Sequence, residues 1–388
     1  MKLPRSIWML GFVSLLMDVS SELVHALLPV FMVTTLGTSA LMVGILEGLA
    51  EATPPIVKAF SGALSDALKN RKWVATAGYA ISAASKPLFV IATTTGMVAA
   101  ARLLDRVGKG VRGAPRDALI ADLTTKEQRP AAYGLRQSLD SVGAIVGPLL
   151  AIALMIAWHD DVKSVFMVAV IPAALAVAML VLGVQEPNAP PSANVKPNSP
   201  RVAWSQLGAP FWSVTIIGTL FSLVRFSEAF LVLRAQDRGL ALTLVPLVLM
   251  TTNFVSAATA FPFGKLSERF DHRKLLGWSL VVLAIADALL AVNSHWSLVL
   301  VGVALWGLQL AMTQGVLSAV VADSVAAEFR ATAFGVFGAV TGVATLLASV
   351  GAGALWLISP STTFVVAAVV SFVALALMAA LPAAQRPQ

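Results

Sequence analysis

Ionisable side chains inside otherwise apolar segments are the residues of this sequence best suited to chemistry. Asp18, Glu22 and His25 lie four and three residues apart, so they share one face of a helix, and Glu47 and Glu51 repeat the four-residue spacing. A charge at the centre of a bilayer costs at least about 2.5 kcal/mol. Groups retained at such positions are therefore candidate functional residues.

Further ionisable residues extend this set within the apolar segments: Lys86, Arg102, Asp105, Arg136, Asp140, Arg225, Glu228 and Asp287. Any one of them can simply pair with another and hold a helix bundle together. Taken as a set, they predict a polar central cavity. We expect Glu22 to be the proton-binding group, with Asp18 and Glu51 as neighbours and Arg102 as its charge partner.

The composition indicates that most of the protein surface faces a lipid bilayer. Of the 388 residues, 58% are hydrophobic and only 12% are charged, and the mean hydropathy is +0.84. A soluble domain carries about 25% charged residues, so a soluble globular enzyme is excluded. Basic cytoplasmic loops account for the net charge of +7 better than nucleic-acid binding does. Because no cysteine is present, thiolate catalysis and cysteine metal sites are excluded.

Twelve apolar stretches approach the length of about 20 residues that a helix needs to cross a bilayer. The predicted spans are residues 7–34, 40–65, 74–93, 96–119, 131–157, 163–184, 208–233, 242–264, 275–292, 297–322, 331–357 and 361–381. Most of the 27 Lys and Arg residues fall on one side of the alternating topology, and only Lys163, Arg234 and Arg238 fall on the other. The positive-inside rule therefore places both termini in the cytoplasm, and we expect a multi-pass protein of the bacterial inner membrane.

Two six-helix halves, residues 1–184 and 208–388, are predicted on either side of a proline-rich cytoplasmic linker at 185–207. An internal repeat supports this division. The segment GALSD at 62–66 returns as GKLSE at 264–268, and RPAAYG at 129–134 returns as RATAFG at 330–335. Transporters built from such repeats place the substrate site between them, near the membrane midplane.

Over essentially its whole length the chain resembles the major facilitator superfamily. This resemblance implies an all-α polytopic membrane protein with twelve transmembrane helices in two pseudo-symmetric bundles. The residues similar to the family's motif A are Gly62, Leu64, Asp66, Arg71 and Lys72 after span two, and Gly264, Glu268 and Arg269 after span eight. Ala67 and Lys69 depart from that motif. The resemblance implies a conformational gate in which Asp66 contacts the start of helix eleven, just after Arg330.

A second resemblance lies in span five. Gly143, Gly147 and Pro148 belong to a segment that looks like the antiporter motif C, although Ala151 and Ile152 replace its trailing glycines. We expect a bent helix that packs tightly against a neighbour, because small residues four positions apart allow close approach and proline removes a hydrogen bond. The motif favours export over import.

Span four carries two further motifs. RLLDRVG at 102–108 is similar to the family's motif B, with Asp105 and Arg106 replacing a glutamine and a glycine. GKGVRGAPRDALI at 108–120 is reminiscent of a poorly characterised prokaryotic branch of the superfamily. We expect this block to be a flexible basic end of the helix. The alternative is that Lys109, Arg112 and Arg116 attract anionic substrates.

The sequence thus favours a secondary active transporter that exports a small molecule by alternating access, as a proton antiporter. No nucleotide-binding motif is visible, so we expect the proton gradient as driving force, no cofactor and no metal. We expect a monomer in the lipid bilayer, with a small-molecule substrate and no nucleic-acid partner. Trp306, Gln309 and Gln314 are additional candidates to line the path. A proton-coupled or facilitative uptake carrier is the alternative, and a membrane-embedded enzyme fits poorly because no paired-histidine metal spacing is present.

Overall fold

The computed structural model describes residues 3–68, 70–185, 207–292, 294–326 and 329–380, and their regular structure is helical. The α-helices are α1 Arg5–His25, α2 Leu28–Val30, α3 Ala40–Leu68, α4 Arg71–Ile91, α5 Thr95–Asp122, α6 Arg129–Ala157, α7 Val162–Gly183, α8 Gly208–Val224, α9 Ala229–Asp237, α10 Leu247–Arg269, α11 His272–Ala291, α12 Trp296–Asp323, α13 Arg330–Ile358 and α14 Pro360–Ala380. A π-helical turn, Phe31–Thr35, follows α2, and a 3-10 turn, Leu242–Leu244, precedes α10.

These helices form twelve membrane-length segments in the described part of the chain, as the sequence predicted. Eleven of them are candidate spans by length and hydropathy. The twelfth is α5, which is as long as α12 at 28 residues but carries a series of buried charges. Each predicted span agrees with its helical segment to within a few residues, because the thickness of the bilayer sets the length of both.

Two of the membrane segments are interrupted, which the sequence did not predict. After α1 the chain restarts at α2, where Pro29 occupies the first turn and so lacks a backbone N–H to continue the helix. Between α8 and α9 the backbone becomes extended at Arg225. There the Ser227 N–H donates to Ser349 Oγ at 3.1 Å, so a buried donor freed by the break is satisfied.

One compact unit comprises Met1–Thr38, Thr53–Arg201 and Leu242–Met250. Within it, α1 packs against α6 and α7, and α4 packs against α5 and α7. Gly78 and Gly108 allow the closest approach of α4 and α5, since a Cβ at Gly108 would lie 2.6 Å from the Gly78 carbonyl oxygen. This unit contains the α1 residues predicted to bind protons.

The other compact unit comprises Ser39–Ala52, Val202–Ala241 and Thr251–Gln388. Within it, α11 packs against α12 and α14, and α8 packs against α13. The first part of α3 belongs to this unit and approaches α13 at Gly44, where a Cβ would lie 2.2 Å from the Ser349 carbonyl oxygen. The division into two halves at 185–207 stays a prediction, and residues 186–206 lie outside the described part of the chain.

Candidate functional site

The predicted polar face of α1, here called the α1 stripe, consists of Asp18, Glu22 and His25. His25 Nδ1 lies 3.6 Å from Glu22 Oε2, and Arg112 Nη2 lies 4.0 Å from Asp18 Oδ1. The Asp18 and Glu22 side chains keep 23% and 18% of their surface exposed, so neither is sealed within its unit. The stripe can therefore exchange protons with its surroundings.

Basic groups from α1 and α5 surround the two acids of the stripe, and His25 of α1 is the first of those that act on Glu22. Lys109 acts on both Asp18 and Glu22, and Arg106 acts on Glu22. Arg102, the partner expected from the sequence, is buried on the same helix, and its pairing with Glu22 stays a prediction. The negative charge of the stripe is thus compensated by His25 on its own helix and by basic residues of α5.

The basic residues of α5 recur every three or four residues, which is the spacing of a helix face, and Asp105 stands next to one of them. The charged residues are Arg102, Asp105, Arg106, Lys109, Arg112 and Arg116. Thr94 is the N-cap residue of the helix, because its Oγ1 accepts a hydrogen bond from the Met97 N–H at 3.3 Å. The block 108–120 is regular helix, since α5 continues to Asp122, and its flexibility stays a prediction. Glycines in this block serve close packing, and a Cβ at Gly110 would lie 2.5 Å from Val57 Cβ.

A buried ion pair joins α4 to α5. Lys86 Nζ lies 2.9 Å from Asp105 Oδ1, and these side chains are only 1% and 4% exposed. Lys86 also donates to Ser21 Oγ on α1 at 3.0 Å. Three helices therefore meet at one ammonium group, which makes the pair a strong constraint on how they pack.

Two of the three basic residues in the 108–120 block are engaged in contacts inside the first unit. Arg112 Nη1 donates to Ser82 Oγ at 2.6 Å, and its guanidinium lies 4.8 Å from the centroid of the Tyr79 ring. Arg116 Nη1 donates to Ser14 Oγ on α1 at 3.0 Å. Lys109 is the member of the block whose charge acts on both acids of the α1 stripe.

The motif C-like segment packs directly on the α1 stripe. A Cβ at Gly143 would lie 3.0 Å from Asp18 Cβ, and one at Gly147 would lie 2.9 Å from Glu22 Cβ. Pro148 follows within α6, which is one helix from Arg129 to Ala157. The two glycines thus bring α6 within van der Waals contact of the two acids, as the sequence predicted for some neighbouring helix.

The motif A-like residues lie near the end of α3, at the start of α4 and near the end of α10. Gly62 faces α5, and Arg71 pairs with Asp122 there. The side chain of Asp66 and residue 69 lie outside what the structure describes, so the contact of Asp66 with the start of α13, the eleventh predicted span, stays a prediction. In the second copy, Gly264, Glu268 and Arg269 are exposed on α10.

The second unit holds the remaining predicted cavity residues. Glu47 is fully buried on α3, Glu51 is half-buried one turn later, and Arg225 and Glu228 lie in the break between α8 and α9. Glu51 and Glu228 act electrostatically on Arg225. Arg225 also lines a cavity of about 330 Å³.

Several predicted polar residues have structural partners instead. Arg136 and Asp140 pair at 2.5 Å along α6. Trp306 Nε1 donates to Asp287 Oδ1 at 3.0 Å, and both side chains are buried. Gln309 is also fully buried, so Trp306 and Gln309 do not line the cavity around Arg225, whereas Gln314 does.

The sequence analysis gave too little weight to Lys109 and Arg106, which act on Glu22. Their spacing from Arg102 along one helix face was the available signal. Within the described ranges, no group of three or more His, Asp or Glu side chains is placed to hold a metal ion. The chemistry that these residues support is proton binding and charge compensation.

In the ranges that the structure describes, twelve membrane-length helical segments carry buried ionisable residues, which defines a polytopic membrane protein of the transporter class. The chain belongs to the Major Facilitator Superfamily, whose family model matches residues 10–250 and 216–388. It is 31% identical over 379 residues to an uncharacterised MFS-type transporter of Methanocaldococcus jannaschii, covering 96% of this chain and 94% of that protein. Over 143 residues it is 30% identical to the multidrug resistance protein MdtH of Yersinia pestis, covering 37% of this chain and 35% of that protein.

Solved structures share the fold. The nucleoside transporter NupG has a TM-score of 0.78 at 15% identity, covering 96% of this chain and 99% of that one. A POT family transporter in complex with 5-aminolevulinic acid has a TM-score of 0.82 at 11% identity, covering 97% and 96%. At these identities the likeness establishes the architecture and leaves the substrate open.

Proposed function

We propose that this transporter exports a small molecule across the cell membrane in exchange for protons. The observation that carries the proposal is the packing of α6 on the α1 stripe, where Gly143 and Gly147 leave no room for side chains against Asp18 and Glu22. Any displacement of α6 along α1 changes the surroundings of both carboxylates. Proton binding and the position of α6 are therefore linked, which is the requirement for coupling.

Glu22 is the proton-binding group in this proposal. When Glu22 is ionised, its attraction to Lys109 and Arg106 holds α1 to α5. A proton on Glu22 removes that attraction and allows α1 and α6 to rearrange. Exchange follows if the rearranged state releases the substrate, so that proton and substrate occupy the carrier in turn.

Two comparisons support export as the direction. The segment containing Gly143, Gly147 and Pro148 resembles an antiporter motif. The partial similarity to a multidrug resistance protein points the same way. We place the protein in the bacterial inner membrane with both termini cytoplasmic, because the basic loops lie on one side of the predicted topology.

Transport by Glu22→Gln tests the assignment. A panel of labelled dyes, drugs and metabolites is first screened for compounds that a deletion strain retains, and the best compound is then assayed with purified protein in proteoliposomes. We expect Glu22→Gln to exchange this compound down its own gradient but not to accumulate it against one when a pH gradient is imposed. Glu127→Gln, which neutralises an exposed acid, is the matched control and should behave as wild type.

Retained pH-driven accumulation by Glu22→Gln eliminates Glu22 and moves the assignment to Glu51. Counterflow in the same vesicles separates an exporter from an uptake carrier. Loss of exchange together with loss of folded protein identifies Glu22 as a structural partner of the α5 cations.

A further inference from the structure

The cavity of about 330 Å³ in the second unit has the features of a ligand site. It lies among α8, α12, α13 and the break that follows α8. Its volume is at the lower end of the range of about 300–1,000 Å³ for small-molecule sites. The ligand that fits is therefore small.

Arg225 supplies the only charge on the wall of this cavity, among the residues that the structure describes. It is the first residue after α8, where the backbone is extended, with φ −116° and ψ 98°. Glu51 and Glu228 act on it from outside the cavity wall. Both carboxylates act on Arg225 through their charge, and the Arg225 side chain itself lines the cavity, where a ligand can reach it.

Polar side chains from three helices line the cavity together with Arg225. The hydroxyls of Thr313 and Thr341 donate to carbonyls of their own helices, at 3.0 Å to Gln309 and 2.7 Å to Phe337. The Ser318 hydroxyl likewise donates to the Gln314 carbonyl at 2.9 Å. Ser222 on α8 and the Gln314 side chain on α12 also lie on the wall.

Apolar side chains form another part of the wall. Phe221, Leu317 and Phe337 contribute to it. The Phe337 ring lies over Gly218. A Cβ at Gly218 would lie 2.4 Å from Cε2 of Phe337, so the ring can occupy this position only because residue 218 has no side chain. Aromatic rings favour a planar apolar group by stacking or edge contacts.

We propose that this cavity binds a small organic anion, with a carboxylate or similar head group on Arg225 and a planar apolar body against Phe221 and Phe337. Arginine matches a carboxylate by two parallel N–H donors. This inference rests on the proposed function in one respect, because it takes the bound anion to be the kind of molecule that the protein transports. Binding itself requires neither a proton gradient nor a direction of transport.

Isothermal titration calorimetry of the full chain in detergent tests the proposal, with 1-naphthoate as the anion and 1-naphthamide as its uncharged counterpart. We expect wild type to bind naphthoate and to bind naphthamide at least about tenfold more weakly, as the loss of a charge-assisted hydrogen bond implies. Arg225→Gln should weaken naphthoate binding at least about tenfold and leave naphthamide binding unchanged. Lys274→Gln, which removes an exposed charge from α11 of the same unit, should bind both compounds as wild type does.

The proposal is overturned if wild type binds no naphthoate at millimolar concentration, or if Arg225→Gln binds it as tightly as wild type does. Should Arg225→Gln fail to fold, Leu317→Trp provides the test, because it fills the cavity and leaves the charge in place. Retained naphthoate binding by Leu317→Trp also overturns the proposal. If the binding results are as expected but pH-driven transport fails, proton coupling is contradicted and the anion site is not.

Discussion

Removing the Asp105 carboxylate should be among the most destabilising single changes in the first unit. Lys86 Nζ and Asp105 Oδ1 are 2.9 Å apart, and both side chains are nearly excluded from solvent. Asp105→Ala would leave the ammonium of Lys86 with Ser21 as its hydrogen-bond partner, near the positive charges of Arg106 and Arg112. An unpaired buried charge of this kind costs about 3–5 kcal/mol.

The pair between Lys58 and Asp117 provides a matched control within the same unit. Its N–O distance is nearly the same, 3.0 Å, but the side chains are 50% and 28% exposed. Lys58→Met should therefore cost only about 0–1 kcal/mol. The double variant Lys86→Met with Asp105→Leu removes both buried charges and should recover most of the stability lost in Asp105→Ala.

Unfolding in mixed micelles, followed by tryptophan fluorescence, measures these differences. Asp105→Ala should lose several-fold more stability than Lys58→Met. The reasoning is refuted if the two variants are equally stable, or if the double variant is no more stable than Asp105→Ala. Either result would mean that water or another group compensates Lys86.

Two further predictions concern the predicted gate and the contact between α6 and the α1 stripe. Asp66→Asn should shift the carrier toward the inward-open state and slow turnover with expression preserved, because the carboxylate is expected to stabilise closure at the start of α13. Because the chain contains no cysteine, labelling of a single cysteine introduced at the cytoplasmic end of a helix measures the shift. Unchanged labelling and unchanged transport would contradict the prediction. Gly147→Leu should abolish exchange by displacing α6 from Glu22, and the overpacking should lower the free energy of unfolding by about 1–3 kcal/mol. Gly134→Leu is the control and should leave exchange intact, because nothing lies within 4 Å of a Cβ added at Gly134. Well-folded Gly147→Leu with normal exchange would exclude the coupling role.

The positions of the membrane helices were predictable because hydrophobic length is a property of the sequence alone. Helix α5 was recognised despite its charges, since apolar residues surround them. The interruption at Arg225 was not predictable, because the sequence RFSE at 225–228 contains neither proline nor glycine. Its freed N–H at Ser227 is satisfied by Ser349, 122 residues away, and such a contact exists only in the folded chain.

The sequence predicted which charged residues lie in the membrane helices better than it predicted which of them pair with one another. The sequence indicated that Lys86, Asp105 and the α1 stripe lie in membrane helices, but the rotation of each helix decides which charges meet. Lys109 was assigned to a flexible end because glycines surround it. Those glycines allow α5 to pack closely on its neighbours, and Lys109 lies in a regular helix.

Proton movement driven by a substrate gradient tests the central claim most directly. Proteoliposomes are loaded with the compound identified in the transport screen and with a trapped pH-sensitive dye, and the membrane potential is clamped with potassium and valinomycin. As the compound leaves, antiport predicts that the lumen acidifies in wild type and that this acidification is absent in Glu22→Gln and in protein-free liposomes. Efflux of the compound with no change in luminal pH, or with alkalinisation, would contradict proton-coupled export.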